Sequence, residues 1–223
     1  VVGQFPGTKA LSQLIGGLGI NNQKHVVIVY GGVSSLDFGS AARVYWTFKT
    51  IGHENVSILN GGFKGWKNSG SKVVSGENNL SPAKFKTKLN KKYYASFSEV
   101  QKAQKGKGSQ CLIDARPGAF FTGDKKHAKA RIPGRLANAR NLQEGNLIDG
   151  GFKIKSSTEI KSQFGGLEGV EKYKGYISYC NTGHWAATVW FGLSEIAQIP
   201  NVKMYDGGMT HWTYDPKRKV DLG

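Results

Sequence analysis

Val56-Ser-Ile-Leu-Asn-Gly-Gly-Phe-Lys-Gly-Trp66 aligns without gaps with Val202-Lys-Met-Tyr-Asp-Gly-Gly-Met-Thr-His-Trp212. Each stretch reads as a short strand, a Gly-Gly turn and a Trp. Working backwards, Ala41-Ala-Arg-Val-Tyr-Trp-Thr-Phe48 matches Ala186-Ala-Thr-Val-Trp-Phe-Gly-Leu193 in its apolar positions. Earlier still, the apolar run Val26–Tyr30 pairs with Gly175–Tyr179, which puts Gly31 opposite Cys180. The order strand, loop, helix, strand, Gly-Gly, Trp therefore occurs twice, and an internal repeat of this kind organises everything else. Apolar strands alternating with amphipathic helices predict an α/β fold, a mostly parallel sheet flanked by helices in each copy, with right-handed crossovers.

Between the copies, Asn68–Asn90 is polar, with Ser69-Gly70-Ser71, Gly76 and Ser81-Pro82, and reads as a linker. Two α/β domains are expected, at about 1–75 and 90–223. The second adds a helix near Ser96–Gln104 and a strand, Cys111-Leu-Ile-Asp-Ala-Arg116. The first lacks a counterpart to that strand and reads as N-terminally incomplete. A sheet short of one strand leaves an open edge, so an N-terminal segment, contiguous or separate, is expected to complete it.

The 223 residues carry 31 Lys and Arg against 15 Asp and Glu, a net charge of +16. Such a surface attracts anions and raises their encounter rates. No nucleic-acid-binding signature accompanies the charge, and no nucleic-acid partner is expected. No apolar run reaches the ~18 residues of a membrane span. With two cysteines, Cys111 and Cys180, a disulfide framework is excluded. Cys111 begins an apolar strand and reads as a small buried hydrophobe. The start at Val1, without an initiator Met, leans towards an exported, periplasmic location, with the cytoplasm as the alternative.

Cys180 has different surroundings. It follows an apolar strand, enters the Gly-containing loop Asn181-Thr182-Gly183, and precedes a long apolar helix. Loop N–H groups and a helix N-terminus both favour a negative sulfur. No second ligand lies near His184, so no metal site is expected. A C-x5-R phosphatase loop is excluded because the sixth residue after Cys180 is Ala186.

Several marks in order carry a family resemblance. They are Leu112-Ile-Asp-Ala-Arg116, Phe120 with Gly123, Gly134-Arg-Leu-Ala-Asn-Ala-Arg-Asn141, Tyr179-Cys-Asn-Thr-Gly-His-Trp185, and Tyr205-Asp-Gly-Gly208 with Trp212. Together with the degenerate upstream copy, the chain resembles the tandem-domain rhodaneses, the thiosulfate and mercaptopyruvate sulfurtransferases. The resemblance implies a catalytic second domain in which Cys180 takes sulfane sulfur from a small anionic donor, thiosulfate favoured. The sulfur then passes to cyanide, a thiol or a sulfur-accepting protein, and no cofactor is required. It places Asn181, Thr182, Gly183, His184, Trp185, Arg116 and Phe120 at the donor, with a structural ion pair to Asp114 or loop carbonyls as the alternative role of Arg116. Phe120 stands where several relatives carry an arginine, and the loop matches neither the thiosulfate nor the mercaptopyruvate pattern. The alternative is a persulfide carrier or basic module that docks a protein partner.

Overall fold

A computed structural model describes residues 2–223. In the first half, helix α1 (Thr8–Gly17) precedes strand β1 (Val26–Ile28), helix α2 (Ser35–Thr50), strand β2 (Val56–Ile58) and helix α3 (Gly62–Asn68). The second half runs α4 (Phe97–Gln104), β3 (Gln110–Asp114), α5 (Gly118–Thr122), β4 (Arg140–Asn141), α6 (Ser157–Gly165), β5 (Gly175–Tyr179), α7 (His184–Phe191), β6 (Val202–Met204) and α8 (Gly208–Trp212). Strands β1 and β2 form a two-stranded parallel sheet. The second sheet has four strands in the order β4-β3-β5-β6, all parallel. The expected α/β architecture is therefore present in both halves.

The element ends follow local chemistry. Ser96 and Ser156 cap α4 and α6 through reciprocal capping boxes with Glu99 and Glu159. Ser34 caps α2 by accepting from the Asp37 N–H at 3.1 Å. On α2, Phe38, Ala41, Ala42, Tyr45, Trp46 and Lys49 are buried, the spacing of one helical face. That face packs on α7, whose residues Ala186–Phe191 are all buried. Phe38 and Tyr45 meet Phe191 edge-on at centroid distances of 5.8 and 4.9 Å. Gly39 allows the close crossing, since a Cβ there would lie 3.2 Å from the His184 carbonyl oxygen. One apolar core runs through both halves.

The sheet register corrects one detail of the repeat. Val26 pairs with Val56, whereas Tyr176 pairs with Val202. Val56 and Val202 are equivalent, so Val26 corresponds to Tyr176, and Tyr30, not Gly31, stands where Cys180 stands. The Gly-Gly turns agree: the Phe63 N–H donates to the Tyr30 carbonyl at 2.6 Å and the Met209 N–H to the Cys180 carbonyl at 2.8 Å. The one-residue shift arises because both strands end on aromatic residues that align equally well one position off.

Residues 69–90 contain neither helix nor strand, and their second half is docked rather than free. The Ala83 N–H donates to Gly16, Lys88 to Ile51 and Asn90 to Thr50. Phe85 is buried against Phe48 and His53. The chain then reaches the second sheet, where Tyr94 bridges to Met204 in parallel. Among the described residues, β1 of the first sheet pairs only with β2, and Val27 and Val29 are exposed beside it.

Candidate active site

Strand β5 is buried along its whole length and delivers Cys180 to the interior, 2% exposed. The chain then turns through Asn181-Thr182-Gly183 into α7. Gly183 has φ +105°, and a Cβ there would run into the Arg43 guanidinium. Its N–H donates to Cys180 Sγ at 3.0 Å. Burial pushes the Cys180 thiol up from its ordinary value. N–H groups of Ala186, Gly183 and Thr182 pull it back without overcoming that effect. The loop thus supplies the expected N–H donors, while the free thiol is costlier to ionise than position alone suggested.

Behind the loop lies a scaffold of buried charge. Arg116 grips Asp114 with Nε at 2.9 Å and Nη2 at 2.6 Å, and donates to the Gly134 carbonyl at 2.9 Å. Its Nη1 reaches Asn181 Oδ1 at 3.4 Å. Of the two roles expected for Arg116, the structure shows the ion pair with Asp114, and the guanidinium stands behind the loop and steadies Asn181. Arg43 comes from α2 of the other half. It donates to the Gly3 carbonyl at 2.8 Å and pairs with buried Asp206 at 3.8 Å. Asp206 also accepts from the Phe5 N–H, and burial raises its pKa.

In front of Cys180 is a cavity of about 260 Å³ between the two halves. Asn181, Thr182, His184 and Trp185 form its wall on the loop side, as expected. Leu36 and Ser40 on α2 form the opposite wall, and His127 closes a third side. Phe120 does not line the cavity; its ring packs edge-on against Trp185 at 5.7 Å and braces it. His184 has a lowered pKa, from burial first and then from Arg43. Cys111, by contrast, is 1% exposed inside the core, and burial drives its thiol to about 11.

Leu36, Ser40, Arg43 and His127 were not among the candidates read from sequence. Arg43 had a weak signal, as one of two cations, with Lys49, in the otherwise largely apolar helix α2. Leu36, Ser40 and His127 had none, because packing between halves and the long loop after α5 bring them to Cys180.

Known proteins match this geometry. The model of the rhodanese-like domain matches residues 4–69 and 96–215. The thiosulfate sulfurtransferase of Bos taurus is 32% identical over 213 residues, covering 93% of this chain and 69% of that protein. The 3-mercaptopyruvate sulfurtransferase of Escherichia coli is 32% identical over 196 residues, covering 87% of this chain and 67% of the relative. Among solved structures, an anaerobic ergothioneine biosynthesis enzyme from Chlorobium limicola, in complex with trimethyl histidine, superposes with a TM-score of 0.86 at 19% identity. The match covers 98% of this chain but 56% of that enzyme, and it speaks to the fold. Two copies of one strand-loop-helix unit, a cysteine loop in the second, and these relatives give one answer: the chain belongs to the rhodanese-like domain family.

Proposed function

We propose that the chain is a sulfurtransferase in which Cys180 carries sulfane sulfur as a persulfide. The observation that carries this reading is the placement of Cys180 Sγ, which faces an inter-half cavity large enough for a small donor while the Gly183 N–H points at it from 3.0 Å. With thiosulfate as the reference donor, the Cys180 thiolate attacks the outer sulfur. An S–S bond forms, the bond to the sulfonate sulfur breaks, and sulfite leaves with the electron pair. Cyanide then attacks the terminal persulfide sulfur, forming thiocyanate and returning the thiolate. Splitting one transfer into two displacements is the advantage of a covalent carrier. Loop N–H groups hold the charge of the persulfide between the two steps.

The first half contributes a wall of the cavity and Arg43, while its own position equivalent to Cys180 holds Tyr30. That tyrosine is buried, donates to the Phe152 carbonyl at 2.7 Å and accepts from the Gly61 N–H. It offers no nucleophile. A thiosulfate and cyanide assay tests the proposal: double-reciprocal plots should be parallel, as for a ping-pong cycle, and turnover should vanish in Cys180→Ser. Turnover that survives in Cys180→Ser would refute it. A stable persulfide without turnover would favour the carrier role for a protein partner instead.

A further inference from the structure

Arg43 leaves α2 of the first half and ends against the Cys180 loop of the second, its side chain 14% exposed. Two contacts fix its place. Its Nη2 donates to the Gly3 carbonyl at 2.8 Å, and the guanidinium lies over the Trp46 ring at 4.7 Å. Nη1 faces the loop, where a Cβ on Gly183 would run into it. The missing Cβ is what lets a cation come so close. Among the described residues, Nη1 is buried without a hydrogen-bond partner. A buried charged donor left unpaired is costly, and an apolar side chain would fill the same place at lower cost. Packing alone therefore does not account for an arginine here.

The loop edge that Arg43 touches is the edge that holds the sulfur. The Gly183 N–H donates to Cys180 Sγ at 3.0 Å, and the sulfur is among the groups whose negative charge favours the Arg43 cation. The other charges around Cys180 leave this one distinct. Arg116 and Asp114, at the end of β3, form their own ion pair at 2.6 Å, and Asp114 works against a thiolate. On α7, His184 has its pKa lowered by burial first and then by Arg43. On the cavity wall, His127 Nδ1 accepts from the Lys129 N–H at 3.1 Å, the arrangement of a neutral ring. Asp206, after β6, is the counter-charge of Arg43. At 3.8 Å from Nη2 it is too far for a hydrogen bond, and its own burial works against its charge. Asp206 thus offsets Arg43 only in part.

Resting on the sulfurtransferase reading above, we propose that Arg43 is a positioning residue supplied by the first half, whose charge acts through the Gly183 edge of the loop to keep the Cys180 sulfur anionic. The first half then contributes to the chemistry as well as to the cavity wall, and Asp206 sets how much of that charge the sulfur feels. Removing a cation near a thiol favours its neutral form, and removing an anion favours the thiolate. Loss of Arg43 and loss of Asp206 must therefore move Cys180 in opposite directions.

The test is the pH dependence of iodoacetamide alkylation at Cys180, read by peptide mapping, with circular dichroism to check folding. Arg43→Met keeps much of the length and loses the charge. Its midpoint should rise by about one pH unit, making alkylation about tenfold slower at pH 7. Arg43→Lys keeps the charge and should return the rate to within about threefold of wild type. Asp206→Asn should lower the midpoint. An unmoved midpoint in folded Arg43→Met, an Arg43→Lys protein as slow as Arg43→Met, or a midpoint unchanged or raised in Asp206→Asn would overturn the proposal. If Arg43→Met fails to fold, the sign of the Asp206→Asn shift decides. Alkylation needs no sulfur donor, so the sulfurtransferase reading is judged separately, by intact mass after incubation with thiosulfate. Arg43→Met should then load sulfur about tenfold more slowly than wild type at pH 7, whereas no sulfur on either protein would count against that reading alone.

Discussion

The loops after β1 and after β5 leave equivalent strands, enter equivalent helices, and present their backbone N–H groups to different anions. In the first loop, the Asp37 carboxylate accepts from Gly32 at 2.7 Å and from Val33 at 3.2 Å. In the second, the Gly183 N–H donates to Cys180 Sγ at 3.0 Å. Counted from the helix start, the position that Asp37 holds in α2, the third, is held in α7 by Ala186. A turn of successive N–H groups at a helix N-terminus is an anion seat by construction. The first half fills its seat with its own side chain. The second leaves it to sulfur. The fold therefore supplies the seat, and two residue choices, cysteine at the strand end and alanine in the first helical turn, turn it into a site.

Breaking the second seat should have the largest effect. Cys180→Ser removes the nucleophile and should lower sulfur transfer by at least about a thousandfold, with the far-UV circular dichroism unchanged. Alanine at matched loop positions comes next. Gly183→Ala forces a Cβ onto a residue at φ +105° and into Arg43, and should cost about 1–3 kcal/mol of stability in chemical denaturation. Ser34→Ala, at the equivalent position before α2, has extended backbone and loses one cap bond, a cost of about 1 kcal/mol. Equal costs at the two positions would contradict the account of Gly183.

Emptying the first seat is a smaller perturbation. Asp37→Ala leaves two loop N–H groups without their carboxylate and should destabilise by about 1–2 kcal/mol. Sulfur loading per folded molecule should stay within about twofold, because a lost bond in the loop after β1 does not touch Cys180. The mildest test is pH. Burial raises the Cys180 pKa, so the reactive thiolate grows as pH rises and is lost as pH falls. The rate of iodoacetamide alkylation at Cys180 should climb with a midpoint above that of an ordinary thiol, about 8.5. A midpoint below that of an ordinary thiol would mean the loop N–H groups outweigh burial.

The repeat made the two-copy architecture, the parallel strands and the cysteine loop legible without coordinates, because Gly-Gly turns and apolar runs are local marks. Register was less legible. Val26–Tyr30 and Gly175–Tyr179 are similar enough to slide by one, and only pairing with β2 and β6 distinguishes Tyr30 from Gly31 as the partner of Cys180. The docking of Phe85 was hidden by the polar composition around it. The opposite cavity wall was hidden for another reason: Leu36 and His127 carry no chemical signature, and long-range packing alone sets them before Cys180. Arg116 shows the reverse case, a residue legible from its neighbour: Asp114, two positions back, offered the ion pair that the structure shows.

The claim that the second seat carries sulfur, while the first is filled by Asp37, is tested most directly by intact mass. Wild-type protein, incubated with a sulfane donor and desalted, should gain the mass of one sulfur atom and lose it on adding cyanide. Cys111→Ser should behave the same way, and Cys180→Ser should gain nothing. Sulfur added to the Cys180→Ser protein, or none added to the wild type by any donor, would contradict the account.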